Sequence, residues 1–403
     1  MERSGDQSFS SAAAIPGSLT DASGLRIALF SGNYNCVRDG ANRALNHLSG
    51  YLLAHGAAVR VYAPTVARPA FAPVGDLVSI PSFPIPGRRE YRIAPRLTKE
   101  AKEDIARFRP THFHLSAPDW LGTSAQHHAR TIGVPVVTSL HTRFEKYLVY
   151  YHLGFLTGWA RRRLHRFYEE SDFILVPSQA VAREFAAEGW GGKMGIWTRG
   201  VDHALFGPFR RDAEWRRAQG YGEGEEAILL FLGRLVLEKG LDIFADTVAA
   251  LRRRGLAVRP LVIGEGPAHA HFAARLGDAL FLGHIDGPEL ARAIASADIL
   301  LNPSATEAFG NVNLEAMASG LAVVSADVPS AATLIENGRT GLLVPASGVE
   351  AYADAVERLI RSRETRRALG EAAVKASAAY NWDRVFGPVI DAYRKTARSV
   401  RGD

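Results

Sequence analysis

With 403 residues, 47% of them hydrophobic and 22% charged, the chain is too long for one ordinary domain and too apolar to be disordered, so two folded domains of similar mass are expected. The single cysteine, Cys36, excludes an internal disulfide framework and any multi-cysteine metal site, and a reducing compartment fits best. A formal net charge of +6 leaves nucleic acid, anionic lipid and an anionic small substrate open, while no apolar run reaches the roughly 18 residues that span a bilayer.

Residues 1–24 are Ser/Ala/Gly-rich, have no basic segment leading into an apolar core, and read as a flexible tail. Short Val/Ile/Leu-rich runs then alternate with longer helical patterns, the signature of parallel strands joined by crossover helices. In the first half the strand candidates are LRIALFS, AVRVYAP, THFHLS, VPVVTSL and DFILVPS. The first is followed by SGNYNCVRDGANRAL, where Gly40 opens a helix; VPVVTSL leads directly to His141. Taken alone, His141 also fits a structural or surface histidine.

Before DFILVPS, the stretch YHLGFLTGWARRRLHRFYEE combines Phe155, Leu156 and Trp159 with Arg161, Arg162, Arg163 and Arg166. Such a mixture can rest on an anionic membrane surface, each cation contributing on the order of 1 kcal/mol. An amphipathic helix with its aromatics packed inward and its arginines solvated fits the same residues. GRREYRIAPR adds basic charge to this half and leans the reading toward the membrane.

Strand signal lapses through RGVDHALFGPFRRDAEWRRAQGYGEGEE, which places the seam between domains, 25–203 before it and 204–380 after it. The second half offers AILLFLG, RPLVIG, ALFLG, DILLNPS, AVVSA and TGLLVP, enough for a second doubly wound sheet. Two such sheets facing one another would enclose a cleft at the carboxyl ends of their strands.

After AILLFLG comes GRLVLEKGLD, where Arg234 and Lys239 can hold diphosphate oxygens, one as a planar fork and the other as a point charge; a solvated loop explains them equally well in isolation. After RPLVIG comes GEGPAH, with Glu265 between glycines that permit close backbone approach. DILLNPS is followed by the loop ATEAFG and a helix NVNLEAMAS, expected to be capped by Asn311 and stopped at Gly320. The N–H groups from Phe309 and Gly310 through Asn311, Val312 and Asn313 make a phosphate site at that helix start. Glu307 before it and Glu315 one turn into it can accept hydrogen bonds from neutral polyols on either side of the phosphate. Hexose, diphosphate and ribose in that order describe a nucleotide sugar.

The run EAFGNVNLE followed by AMASGLAVV, with GRLVLEKG, GEGP, FLGHI and NGRTGLLV in the same order, resembles the retaining family 4 glycosyltransferases of the GT-B fold, in particular the branch of GDP-mannose-dependent alpha-mannosyltransferases and sulfoquinovosyl diacylglycerol synthases. The likeness covers nearly all of the second half. TSLHTRFEKYL, VPSQAVAREF and TRGVDHALFGP extend it into the first, while DGANRAL departs from the usual double-glycine loop. The resemblance implies an α/β protein with two facing Rossmann-like doubly wound domains, the first for acceptor and the second for donor, and a terminal helix, residues 381–403, that returns to the first.

It further implies that Arg234 and Lys239 neutralise the leaving nucleoside diphosphate, Glu307 holds the transferred sugar, Glu315 the ribose and Glu265 the far side of the nucleotide. His141 would position sugar and acceptor for same-face attack, and the leaving phosphate would take the acceptor's proton. The donor is expected to be GDP-mannose, with UDP-sugars next, and the acceptor a membrane lipid or lipid-linked glycan. The enzyme would be a cytoplasmic hexosyltransferase, peripheral on the inner membrane face through Trp159, Arg161, Arg162 and Arg163, with no nucleic-acid partner. No cofactor and no metal are expected, since the chain has no D-x-D pair and two cations with a helix end can replace the ion. The alternatives are a nucleotide-sugar epimerase of the same fold, which would need a base placed against a sugar carbon and for which no motif is present, and a non-catalytic nucleotide-sugar binding protein, which would have no reason to keep Arg234, Lys239, His141 and Glu307 together. A dinucleotide oxidoreductase would need a G-x-G-x-x-G after the first strand, and none is there.

Overall fold

A computed structural model of the protein describes residues 21–37, 40–85, 88–140, 157–187, 189, 194–221, 227–307 and 309–400. The chain divides into two compact units, one of Met1–Trp197 with Val385–Asp403 and the other of Thr198–Arg384. Residues 198–203, assigned by the sequence to the first domain, thus belong to the second. Val201 explains why: it is buried in the second unit's core with Phe206 and Trp215, and its N–H donates to the Tyr380 carbonyl at 3.1 Å. The supposed seam is itself folded, since Arg211 and Arg216 of that stretch both bind the buried Asp298 carboxylate of the second unit, at 2.8 and 3.1 Å.

The first unit is a seven-stranded parallel sheet in the order β3-β2-β1-β6-β7-β8-β9. Its strands are β1 (Arg26–Phe30), β2 (Ala58–Ala63), β3 (Asp76–Ser79), β6 (His112–Leu115), β7 (Val136–Ser139), β8 (Phe173–Val176) and β9 (Met194–Ile196). A separate antiparallel pair, β4 (Phe83–Ile85) and β5 (Arg88–Ile93), lies between β3 and β6 in the chain. The five sequence-predicted strands are β1, β2, β6, β7 and β8. Those missed are edge or isolated strands, β3 for instance being only half covered, so they lack the continuous apolar run that marks a strand buried on both faces.

The second unit is a six-stranded parallel sheet in the order β12-β11-β10-β13-β14-β15. All of its strands were legible: β10 (Ala227–Leu232), β11 (Val258–Ile263), β12 (Leu280–Phe281), β13 (Ile299–Asn302), β14 (Ala322–Ala326) and β15 (Leu342–Val344). Alternate residues of β10 point to opposite faces, Ile228 and Leu230 into one buried cluster and Leu229 and Phe231 into the other, as the two-residue period of a strand requires. Helices on both faces complete these cores. In each sheet the chain winds outward from the first strand, β1 or β10, and then returns to its other side, at β6 or β13. That reversal is where doubly wound sheets bind ligands, beyond the strands' carboxyl ends. None of the described helices is long and apolar enough to cross a membrane.

Candidate functional site

In the second unit the reversal lies between β10 and β13, and the sequence-predicted donor residues converge on it. β10 ends at Leu232, and the chain turns through Gly233 and the exposed Arg234 to Lys239 and then Gly240, which precedes helix Leu241–Arg253. β13 ends at Asn302 and leads to Glu307. The two loops meet: Lys239 Nζ donates to Glu307 Oε1 at 2.7 Å, both side chains about four-fifths buried at 18% and 20% exposure. Beside this pair, Thr306 Oγ1 donates to the Glu238 carbonyl at 3.3 Å.

The glycines of GEGPAH are required by the neighbouring loop. A side chain on Gly264 would start 1.9 Å from the Gly233 carbonyl oxygen, and the φ of +139° there is itself one that L-residues avoid. The loops after β10 and β11 are laced together, Leu235 N–H donating to the Glu265 carbonyl at 2.9 Å and Ala268 N–H to the Leu235 carbonyl at 3.0 Å. The exposed Glu265 side chain reaches the third loop, its Oε1 accepting from His284 N–H at 3.4 Å. The segment FLGHI is thereby held beside GEGP.

Helix Asn311–Ala318 begins differently from the expectation. Its cap is Gly310, with φ +92°, and no side chain caps the first turn; Asn311 is the first helical residue and its Oδ1 is buried without a partner among the described residues. The left-handed backbone at that position is one glycine takes without strain, and the helix starts one residue earlier than an Asn311 cap would set it. The result favours an anion more strongly than a capped end would, because the first N–H groups of the helix have no side-chain acceptor. Phe309 is buried and packs edge-on against Tyr380 at 6.0 Å, anchoring the loop from below. Val312 and Glu315 are half-buried on the helix, Glu315 one turn beyond its start.

The first unit carries less of the predicted set. His141 lies outside the described residues, as do Phe155 and Leu156. Gly40 begins helix Gly40–Ala54 after β1, as expected. Helix Thr157–Glu169 carries Trp159 and Arg161, whose side chains are not described; Arg162 is exposed, and Arg163 is half-buried with a nitrogen 3.4 Å from Thr123 Oγ1. Leu164, Phe167 and Tyr168 of this helix are buried in the first unit's core, so this part of its apolar face is spent on packing. The sequence reading overlooked Asp119, which follows β6 at this sheet's reversal and caps helix Trp120–Thr131 by accepting from Gly122 N–H at 2.7 Å. Burial pushes its carboxyl up to about 6, against the N–H groups of Gly122 and Leu121 that pull it down. Aspartate just before an apolar helical run was the available signal.

Known proteins share this architecture and these motifs. A profile described as Glycosyltransferase Family 4 matches residues 38–205, and one described as Glycosyl transferases group 1 matches residues 226–362. The chain is 33% identical to the sulfoquinovosyl transferase of Arabidopsis thaliana over 75% of its own length, and spans 60% of that protein. It is 34% identical to a GDP-mannose-dependent alpha-mannosyltransferase of Mycobacterium tuberculosis, over 73% of this chain and 74% of that one. Among solved structures, sucrose-phosphate synthase from Thermosynechococcus elongatus aligns over 93% of this chain and all of its own with a TM-score of 0.73 at 20% identity. HepE of Anabaena, solved with UDP and glucose, aligns over 94% of this chain and all of its own with a TM-score of 0.67 at 18% identity. The two parallel-sheet units are those of the GT-B fold, and the chain belongs to glycosyltransferase family 4.

Proposed function

We propose that the protein is a retaining hexosyltransferase that moves a hexosyl unit from a nucleoside diphosphate sugar to an acceptor hydroxyl. The observation that carries this reading is the convergence of Arg234, the Lys239–Glu307 pair and the uncapped helix start at Gly310 on one sheet reversal. That set supplies cations for a diphosphate, N–H groups for its oxygens and a carboxylate for sugar hydroxyls. Charge grows on the diphosphate as the glycosidic bond breaks, so Arg234, Lys239 and the N–H groups of Gly310 to Val312 bind the transition state more tightly than the ground state. Lys239 starts from Glu307 and can turn toward the phosphate while Glu307 accepts from the sugar in its place. Glu315 and Glu265 hold the ribose and the far side of the nucleotide, and His141, outside the described residues, is the residue proposed to position sugar and acceptor. The leaving phosphate takes the acceptor proton on the same face, so no protein nucleophile enters and configuration is retained. Two cations and a helix end do the work of a divalent ion, and activity persists without one.

The donor is GDP-mannose, with a UDP-sugar as second choice. The first is supported by the likeness to GDP-mannose-dependent enzymes and the second by HepE, solved with UDP and glucose. The acceptor is a membrane lipid or lipid-linked glycan, met by a cytoplasmic enzyme that rests on an anionic inner membrane face through exposed basic residues such as Arg162. The test is transfer from radiolabelled GDP-mannose and UDP-sugars in chelator, beside a thermal-shift panel of GDP and UDP, in which a bound nucleotide raises the melting temperature with the logarithm of its concentration. Lys239→Ala should lower kcat by about 10²–10³. A fall in melting temperature with unchanged kcat would make Lys239 only a structural partner of Glu307, and the absence of both nucleotide shift and transfer would sink the reading.

A further inference from the structure

Asn302 is the last residue of β13, and the strand register sets it beside Ser325 of β14. Asn313, in the first turn of helix Asn311–Ala318, joins the two. Asn302 Nδ2 donates to Asn313 Oδ1 at 2.9 Å, and Asn313 Nδ2 donates to Ser325 Oγ at 3.1 Å. The other end of the Asn302 amide, Oδ1, accepts from Ser304 N–H at 3.2 Å, closing the turn that leaves the strand. All three side chains are buried, at 6%, 1% and 1% exposure, next to a hydrocarbon core of Leu300, Phe309, Leu314, Met317 and Val323.

Polar groups in such a place are costly unless every one is paired, and hydrocarbon of the same shape fills the volume at no such cost. What hydrocarbon cannot do is fix direction, which two amides bonded at defined atoms do. The segment between the ladder's attachments at Ser304 and Asn313 contains Glu307 and Gly310. Within that segment Glu307 pairs with Lys239, Thr306 bonds the Glu238 carbonyl and Phe309 packs on Tyr380, while Ser304 Oγ and Asn311 Oδ1 are buried without a partner among the described residues. The ladder adds a hold from beneath at both ends of the segment.

We infer that Asn302, Asn313 and Ser325 form a positioning ladder that holds the Glu307 carboxylate and the open helix start in register with Lys239, acting through these groups without touching substrate. The inference rests on the transferase reading for its purpose, and on the ladder's own geometry for its existence. The variant Asn302→Leu/Asn313→Leu/Ser325→Ala removes every polar side-chain atom of the ladder; leucine branches as asparagine does but is bulkier, and the Ser304 N–H loses its acceptor, so melting temperature is followed beside activity. The folded variant should exchange its amides at residues 304 and 313 at least about tenfold faster and lose at least about tenfold in kcat. Unchanged exchange and unchanged kcat at full stability would overturn the ladder as a positioning device.

Should the triple variant not fold, Ser325→Ala and Ser325→Thr take its place. The first should loosen amide exchange at residue 313 and the second, which keeps the hydroxyl, should restore it; equal exchange in both overturns the proposal. The two readings fail separately. A parent protein that binds neither GDP nor UDP and transfers nothing sinks the transferase reading, whereas the exchange rates decide the ladder in either case.

Discussion

Both sheets bury a chain of side-chain hydrogen bonds on the strand pair just past their reversal, and the two chains are made of different chemistry. On β13 and β14 the members are Asn302, Asn313 and Ser325. On β6 and β7, His114 Nδ1 pairs with the Tyr393 hydroxyl at 2.7 Å and His114 Nε2 with Ser139 Oγ at 3.1 Å, one ring nitrogen donating and the other accepting. Each chain joins a strand residue, a serine on the next strand and a side chain borrowed from a helix: in the second unit the helix residue Asn313 is the middle member, in the first the strand residue His114 is, with Trp382–Val400 supplying Tyr393. Amides do not titrate, whereas an imidazole does. Burial holds His114 down to about 3, and His112, two residues earlier on the same strand, down to about 4 despite a backbone hydrogen bond that favours its proton. The second unit's ladder, under the charged pair Lys239–Glu307, is thus indifferent to pH, while the first unit's is a source of acid sensitivity.

The largest expected effect separates the units by pH. Each histidine is neutral when folded and takes up a proton on unfolding below its ordinary value near 6.5, so the stability it contributes is complete above that pH and falls as pH drops toward the folded values. The slope is up to about 1.4 kcal/mol per pH unit for each. Asp119 works in the opposite sense below about pH 6, because its folded carboxyl binds a proton more readily than the unfolded one, and it offsets part of the loss. Carboxylates held low in the second unit, such as Asp298 with its backbone and arginine partners, begin to lose stability only at more acid pH. Between pH 6.5 and 5, hydrogen-exchange protection, taken relative to the intrinsic rate at each pH, should fall in β6 and not in β13. Replacing His112 and His114 with glutamine should flatten the difference; an equal fall in both strands would break the contrast.

Next in size is the loss of one member from each chain. Tyr393→Phe leaves a His114 ring nitrogen buried without a partner, and Asn313→Leu does the same to Asn302 Nδ2 and Ser325 Oγ, each at a cost of about 1–3 kcal/mol. Denaturant titrations should find the Asn313→Leu cost the same at pH 7.5 and pH 5.5. The Tyr393→Phe cost should change between them, since the pairing at Nδ1 biases which form of His114 is bound. Identical pH behaviour of the two variants would show that the imidazole does not titrate against folding.

How much of this was legible follows from the same contrast. Glu307, Lys239 and the helix that follows could be located because they sit just after apolar strands, where sequence order and spatial order agree. The buried ladders could not, because their partners are brought together from far apart: Asn313 reaches Asn302 across 11 residues, and Tyr393 reaches His114 across 279. An asparagine in a first helical turn also looks like an N-cap candidate, which is how Asn311 was taken for the cap that Gly310 provides. His112 and His114 offered a signal that the sequence reading passed over, their two-residue spacing in THFHLS placing both rings on one face of an otherwise apolar strand. The seam was misplaced for a related reason: the Gly- and Arg-rich stretch looked like a linker, and only Asp298, far along the chain, turns its arginines into anchors.

The smallest expected effect is the most discriminating, because it changes the same atom in each unit. Ser139→Ala and Ser325→Ala each delete one hydroxyl from a buried chain, and the hydrogen bonds these hydroxyls make to His114 and Asn313 have the same length, 3.1 Å. At neutral pH each should cost about 0.5–1.5 kcal/mol, the usual net worth of such a bond. Ser325→Ala strips the acceptor from one Asn313 N–H and nothing else there can change state, so its cost should hold from pH 7.5 to 5.5. Ser139→Ala strips the partner from one side of an imidazole whose other side is bound to Tyr393, and the ring can answer by exchanging its tautomer or by taking a proton on unfolding at a different pH. Its cost should therefore drift with pH over the range where unfolded histidine titrates. Flat profiles for both serines would mean that the two chains differ in composition only; a drift confined to Ser139→Ala locates the acid sensitivity of the first unit in the His114 ring itself.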